Sequence, residues 1–179
     1  DVRNYNKRAD GSDFSRNGFY KNPQQHEGDF LQYTQHADIL IASAYWAPQA
    51  PVLFEQTDMI RDDFKIDVIA DITCDIEGSI PSTKRPSTIA EPIYDYNPSD
   101  DQVENPLSDE GNITVMAVDN LPCELARDAS TSFGDELVSS VLPALLVDDT
   151  DAIIQRGTIT EGGKLTERFK YLQDYVEGN

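Results

Sequence analysis

"KIDVIADITCDIEGSI", Lys65 to Ile80, is the stretch on which the reading of the chain turns. Its first part, Lys65–Thr73, is short, apolar and β-branched, as a buried strand is. Its second part sets Asp71, Cys74, Asp75, Glu77 and Gly78 at the mouth of that strand, and a long irregular segment follows through Pro81, Pro86, Pro92 and Pro98. On either side the same type of run recurs. "ADILIASAYW" (Ala37–Trp46) precedes it and "NITVMAVDN" (Asn112–Asn120) follows it. Three near-continuous apolar strands, separated by a helix or a long connection, argue for a parallel sheet covered on both faces. Such sheets bind ligands beyond the carboxyl ends of their strands. The tails Ser43–Trp46, Asp71–Asp75 and Val118–Leu121 are therefore expected at one rim. Asp and Asn after a strand also cap turns and helices, so no single one of these residues identifies a ligand.

Between these strands, "PVLFEQTDMIRDDF" (Pro51–Phe64) has Leu53, Phe54, Met59 and Ile60 at roughly helical spacing, with Pro51 suited to a first turn. "LPCELARDASTSFGDELVSSVLPALLV" (Leu121–Val147) reads as one long helix or two joined ones, with Gly134 and Pro143 as weak points. "KLTERFKYLQDYV" near the end gives a helix over Thr166–Val176, and Glu161-Gly162-Gly163 a turn. Residues 1–36 are polar and broken by Gly11, Gly18, Pro23 and Gly28, which reads as a lead-in or insertion. The domain plan is thus residues 1–36, a sheet over 37–122, and a helix with tail over 123–179. The chain opens in the middle of a surface excursion, which suggests a piece of a longer polypeptide.

The formal net charge is −19. That surface repels phosphate backbones and anionic lipid, so neither nucleic acid nor membrane is an expected partner. No apolar run has the ~18 residues of a membrane span. The two cysteines, Cys74 and Cys123, form no CxxC or CxxH pair, so no metal site is expected, and a reducing, cytoplasmic compartment fits. A cysteine redox role for Cys74 lacks any basic neighbour that would favour the thiolate. No G-x-G-x-x-G turn occurs, and His26 and His36 fall outside any catalytic arrangement. No catalytic residue is assigned.

The ordered set "ILIASAYWAPQAP", "VIADITCDIEGSI" with "RPSTIAEPIYDY", and "VMAVDNLPCELARDASTSFGDEL" resembles the C-terminal half of the lysine–2-oxoglutarate reductase (saccharopine dehydrogenase, lysine-forming) family. More distantly it is similar to alanine dehydrogenase and the transhydrogenase nucleotide domain. The likeness runs from about Asp13 to Tyr171. It implies part of a Rossmann-like, doubly wound α/β sheet, with the long helix returning to a second domain. It implies NAD or NADP as cofactor and hydride transfer to or from a C–N bond, with alanine dehydrogenase-type deamination as the variant within the class. A non-catalytic nucleotide-binding or structural remnant is the alternative outside it. By matched position, Tyr45, Ile72, Val118, Asp119, Asn120 and Leu121 would bind the cofactor. Thr73, Cys74 and Asp75 would face an amino-acid or 2-oxo-acid substrate. The remaining N-terminal part of the same protein would be the partner, in an arrangement that allows a homo-oligomer. Related enzymes often carry Gly-Gly where this chain has Glu77-Gly78.

Overall fold

The computed structural model describes residues 2–178, in two compact units that divide between residues 124 and 125. The first unit opens with β1 (Asn6–Arg8), α1 (Arg16–Lys21) and β2 (His26–Gly28). The lead-in is thus a small folded module. β1 and β2 pair antiparallel, and the Ser15 hydroxyl accepts the Gly18 N–H to start α1. Phe14 and Phe19 both pack edge-on against His26, and Phe30 meets Phe54 of the main core. Gly28 permits this approach, because a Cβ there would lie 2.7 Å from the Val52 carbonyl oxygen. The polar composition of residues 1–36 hid the module, since a handful of aromatic residues suffices to anchor it.

The main sheet follows: β3 (Ile39–Ala42), β4 (Val68–Asp71), β5 (Ile93–Asn97), β6 (Gln102–Glu104) and β7 (Ile113–Met116). Its order is β3-β4-β7-β5-β6. β3, β4 and β7 are parallel, while β5 and β6 run antiparallel at the far edge. It is a mixed α/β, Rossmann-like sheet whose parallel part holds the three strands read from sequence. The β5–β6 hairpin lies inside the stretch expected to be irregular. Its prolines, Pro92 and Pro98, flank β5 and leave the strand's own N–H groups free to pair.

One face of the sheet forms the core. Ile69, Val115, Tyr94 and Tyr96 are fully buried there, joined by Ile66, Ile80 and Phe54. The other face is not covered as expected. Along β3 it leaves Ile39 60% and Ile41 68% exposed. Asp95 is buried on that side, where Ser108 and Thr114 bond its carboxylate.

The helix expected over Pro51–Phe64 is absent. A single 3-10 turn, Gln56–Asp58, stands in its place. The Asp58 carboxylate accepts the Glu55 N–H at 2.9 Å, and further tight turns close from Arg61 to Asp58 and from Phe64 to Arg61. Side chains that bond the local backbone compete with helix. The apolar spacing still serves packing, because Phe54 and Met59 are buried in the core.

In the second unit, α2 (Ala126–Glu136) passes through a π turn (Leu137–Val141) into α3 (Leu142–Leu146). Gly134 does not interrupt it. Pro143 acts one turn earlier, where the Leu142 N–H reaches back five residues to Leu137, the wide turn that accommodates a proline ring. α4 (Ile153–Gly157) is followed by the hairpin β8 (Thr160–Glu161) and β9 (Lys164–Leu165), turned by Gly162 and Gly163, both at positive φ. The expected tail helix is a 3-10 segment, Glu167–Leu172, continued by α5 (Gln173–Glu177). No described residue of this unit is buried.

The two sheet faces make a direct prediction. Ile69→Ala should destabilise the chain by about 2–5 kcal/mol, whereas Ile41→Ala on the open face should cost less than about 1 kcal/mol. Urea unfolding midpoints of the two variants test this, and equal losses would contradict the assignment of the core face.

Candidate functional site

The site is built on the carboxyl ends of the parallel strands. Ala42 pairs with Asp71 and Ala70 with Met116, so β3, β4 and β7 end on one rim. The Ile72 N–H extends the pairing to the Ala42 carbonyl at 2.8 Å. Beyond it the backbone turns sharply. Cys74 and Glu77 take φ of 52° and 54°, a left-handed conformation that is costly for residues with a Cβ.

Asp71 holds this turn. It is 1% exposed, and its carboxylate accepts four hydrogen bonds. Oδ1 takes the Thr73 N–H at 3.1 Å, the Thr73 hydroxyl at 2.6 Å and the Cys74 N–H at 3.2 Å. Oδ2 takes the Thr83 hydroxyl at 2.7 Å. The capping reading is therefore correct for Asp71, whose two carboxylate oxygens are both engaged in building the loop. Gly78 closes the turn, donating to the Asp75 carbonyl at 2.9 Å where a Cβ would lie 2.7 Å from that same oxygen.

The loop is then tied to β7. The Cys74 Sγ donates to the Ala117 carbonyl at 3.1 Å. The Ser87 N–H donates to the same carbonyl, and the Ser87 hydroxyl accepts the Ala117 N–H at 3.0 Å. Tyr94 steadies the connection from below, donating its hydroxyl to the Ser82 carbonyl while Arg85 lies 4.6 Å over its ring. Thr83 and Ser87 were invisible as site-building residues in the sequence, because each sits alone in a loop with no period around it.

The nine expected site residues fall into two places. Thr73, Cys74 and Asp75 stand on the β4 tail, half-buried, against the β7 tail that carries Val118–Leu121. Burial pushes the Cys74 thiol up, and the carboxylates of Asp71, Asp119 and Asp75 add to the shift. Tyr45 lies apart. It is 87% exposed and lines a cavity beside the β3 tail that none of the other eight residues touches.

The residues differ in what they have left to offer. The Ile72 N–H is engaged with Ala42, so its backbone can reach a ligand through the carbonyl, and its side chain offers a 37% exposed apolar surface. The Thr73 hydroxyl proton is committed to Asp71. Val118 is buried. By contrast, the side chains of Asp75, Asp119 and Asn120 have no hydrogen-bond or ion-pair partner among the described residues. Leu121 begins a 3-10 turn, Leu121–Leu125, closed by the Cys123 N–H on the Asn120 carbonyl. A built loop thus presents two unpaired carboxylates and an amide at the strand ends. Among the described residues no cluster of His, Cys, Asp and Glu has a metal-binding arrangement, and no helix is long and apolar enough to cross a membrane.

With this geometry in place, the family model of the alanine dehydrogenase/PNT C-terminal domain matches residues 2–168. The chain belongs to that family. Its similarity to curated proteins points the same way. It is 31% identical over 173 residues to an alpha-aminoadipic semialdehyde synthase of Arabidopsis thaliana, covering 93% of this chain and 16% of that protein. It is 26% identical over 185 residues to the mitochondrial alpha-aminoadipic semialdehyde synthase of Mus musculus, covering 89% of this chain and 20% of that protein. The chain therefore spans a fifth or less of the length of these relatives. The mixed α/β, Rossmann-like fold is the one that the family resemblance implied.

Two predictions follow from the loop. Glu77→Gly should stabilise the chain by about 1 kcal/mol, because glycine adopts positive φ without steric cost; a lower urea midpoint would show that the Glu77 side chain compensates for its strain. Alkylation by iodoacetamide near neutral pH should modify the exposed Cys123 before Cys74, whose raised pKa lowers its thiolate fraction. Peptide mass mapping over time reads the order.

Proposed function

We propose that this chain is the cofactor-side part of a larger NAD(P)-dependent amino-acid oxidoreductase of the lysine–2-oxoglutarate reductase (saccharopine dehydrogenase, lysine-forming) type. The observation that carries the reading is the meeting of the β4 and β7 tails through Cys74 and Ala117, with Asp75, Asp119 and Asn120 unpartnered beside them. The rim sits where ligands bind in sheets of this kind. The relatives are named for alpha-aminoadipic semialdehyde synthesis, which belongs to the same area of amino-acid chemistry.

The donor set fits a nicotinamide cofactor. Ile72 presents an apolar surface for a flat ring, Asp119 and Asn120 offer acceptors and an amide to ribose or carboxamide groups, and the turn at Leu121 opens a backbone N–H. Val118 forms the buried floor beneath them. Tyr45 on the neighbouring tail would flank the nucleotide. When bound, the cofactor supplies or accepts the hydride. The chain's own contribution is to orient and to neutralise. Asp75 is placed to pair with a substrate ammonium, and Thr73 and Cys74 shape the wall beside it. The acid and base that move the substrate's protons are assigned to the rest of the parent protein.

That remainder is the expected partner. β3 has an unpaired outer edge among the described strands, beside the exposed Ile39 and Ile41. An unprotected apolar edge of this sort is where another strand would add.

The test compares two aspartates in the full-length parent. Asp75→Ala should leave thermal stability nearly unchanged and lower kcat/KM by about 100-fold, the value of about 3 kcal/mol for a lost charged contact. Asp119→Ala should weaken NADH or NADPH binding measured by fluorescence titration. Asp71→Ala should lower stability instead, since it removes four internal hydrogen bonds. Unchanged kinetics and cofactor binding in folded Asp75→Ala and Asp119→Ala proteins would overturn the reading in favour of a non-catalytic domain.

A further inference from the structure

The second unit holds a cavity of about 540 Å³ where α4, β8 and the start of the following 3-10 segment meet. Side-chain bonds build its frame. The Asp149 carboxylate accepts the Ile154 and Gln155 N–H groups at 3.1 and 2.9 Å, which satisfies the first turn of α4. The Thr158 hydroxyl donates to the Ile154 carbonyl at 2.7 Å, and the Thr166 hydroxyl donates to the Thr158 carbonyl at 2.8 Å. The Thr166 N–H adds a bond to the Ile159 carbonyl at 2.9 Å. Helix, hairpin and tail are thereby held around one space. None of the nine residues assigned to the strand-end site lines it.

The charges of its wall are left without internal partners. The chain has 33 acidic residues against 14 basic ones, yet two arginines, Arg156 and Arg168, line this cavity with no ion pair among the described residues. Arg156 spends one N–H group on the neutral Asp151 carbonyl. Asp149, the acid that senses its charge, is occupied at α4. The Arg168 side chain has no partner among the described residues. Of the two glutamates in the wall, Glu167 pairs with Lys170, whereas Glu161 has no side-chain partner among the described residues. What remains on offer is two guanidinium forks and one carboxylate. A guanidinium matches a carboxylate through two parallel N–H···O bonds, and a carboxylate matches an ammonium. A ligand that satisfies all three carries two carboxylates and one ammonium. We propose that this cavity binds a dicarboxylic amino acid, with one carboxylate on each arginine and the ammonium on Glu161. The volume lies within the range of small-molecule sites and leaves room for bridging water. A plain dianion would be repelled by Glu161, and a monocarboxylic amino acid would leave one guanidinium unused.

The test titrates the isotope-labelled 179-residue chain with L-glutamate, glutarate and L-glutamine while NMR follows its backbone amides. L-Glutamate should give saturable shifts within residues 154–168, with a Kd on the order of millimolar, as exposed ion pairs allow. Glutarate lacks the ammonium and L-glutamine the second carboxylate. Each should bind about fivefold more weakly, the most that one exposed pair contributes. Arg156→Gln and Arg168→Gln should each weaken L-glutamate by a similar factor, about fivefold. Glu161→Gln should weaken L-glutamate but not glutarate. Added salt should weaken L-glutamate binding, since exposed charges are screened. All three substituted positions are exposed, so the amide spectrum should remain that of the folded chain. Absence of saturable shifts, equal binding of the three probes, or unaltered affinity in both folded arginine variants would overturn the proposal. Shifts confined to Thr73–Asp75 would overturn it as well, by placing the ligand at the strand ends. The kinetics of Asp75→Ala bear on the oxidoreductase reading alone, so the two stand or fall separately.

Discussion

The arrangement at the strand ends depends on one buried carboxylate. Asp71 stands at the last position of β4 and takes four hydrogen bonds from Thr73, Cys74 and Thr83. A buried charge is tolerated only when donors surround it, and here every donor lies in the loop that must be shaped. The same bonds that satisfy the charge hold Cys74 at positive φ and bring its thiol to Ala117. Without Asp71 the β4 tail would have no reason to turn toward β7, and Asp75 and Asp119 would not share one neighbourhood.

This bonding explains why three acids within a seven-residue stretch, Asp71 to Glu77, act so differently. Asp71 is saturated, Asp75 is unpartnered, and Glu77 is exposed on a strained backbone. The position of Glu77 also accounts for the glycine pair expected there in related enzymes. Left-handed backbone favours glycine, and a chain that places glutamate there accepts about 1 kcal/mol of strain. The next residue has no such latitude. Gly78 is enclosed by Asp75, and any side chain would meet its backbone. One glycine of the pair answers to φ, the other to space.

Much of the parallel sheet was legible in the sequence because its signal is local. "ADILIA", "DVIADI" and "NITVMA" each carry the apolar run typical of a parallel strand, even though the face that holds Ile39 and Ile41 stays open. The direction of the three strands, and so the common rim, followed from the same fact. The helix expected at Pro51–Phe64 failed because its spacing was real but its cause was different. Phe54 and Met59 point to the core from successive tight turns, which the carboxylates of Glu55, Asp58 and Asp63 stabilise through local bonds. The hairpin β5–β6 was hidden because Tyr94, Asp95 and Tyr96 are all buried, one of them by a polar network, so no alternation survives in the letters. The N-terminal module was hidden by composition, its aromatic anchors being spread among Asn, Gln and Lys.

The site was legible in part for a related reason. Strand-end acids are read easily, but the sequence does not say which are consumed by the fold. That is settled by Thr83 and Ser87, single residues that reach Asp71 and Ala117 across 12 and 30 positions of chain. Tyr45 illustrates the opposite case. Its place on the β3 tail puts it on the same rim as the others, yet its ring borders an uncharged aromatic cavity rather than the acidic cluster. A parallel sheet guarantees a shared edge, not a shared environment. Here the rim divides into a half that carries Asp75 and Asp119 and a half, at the β3 tail, lined by uncharged residues. A ligand that spanned both would need a charged end and a neutral flat end, so the two halves impose separate chemical demands along one sheet edge.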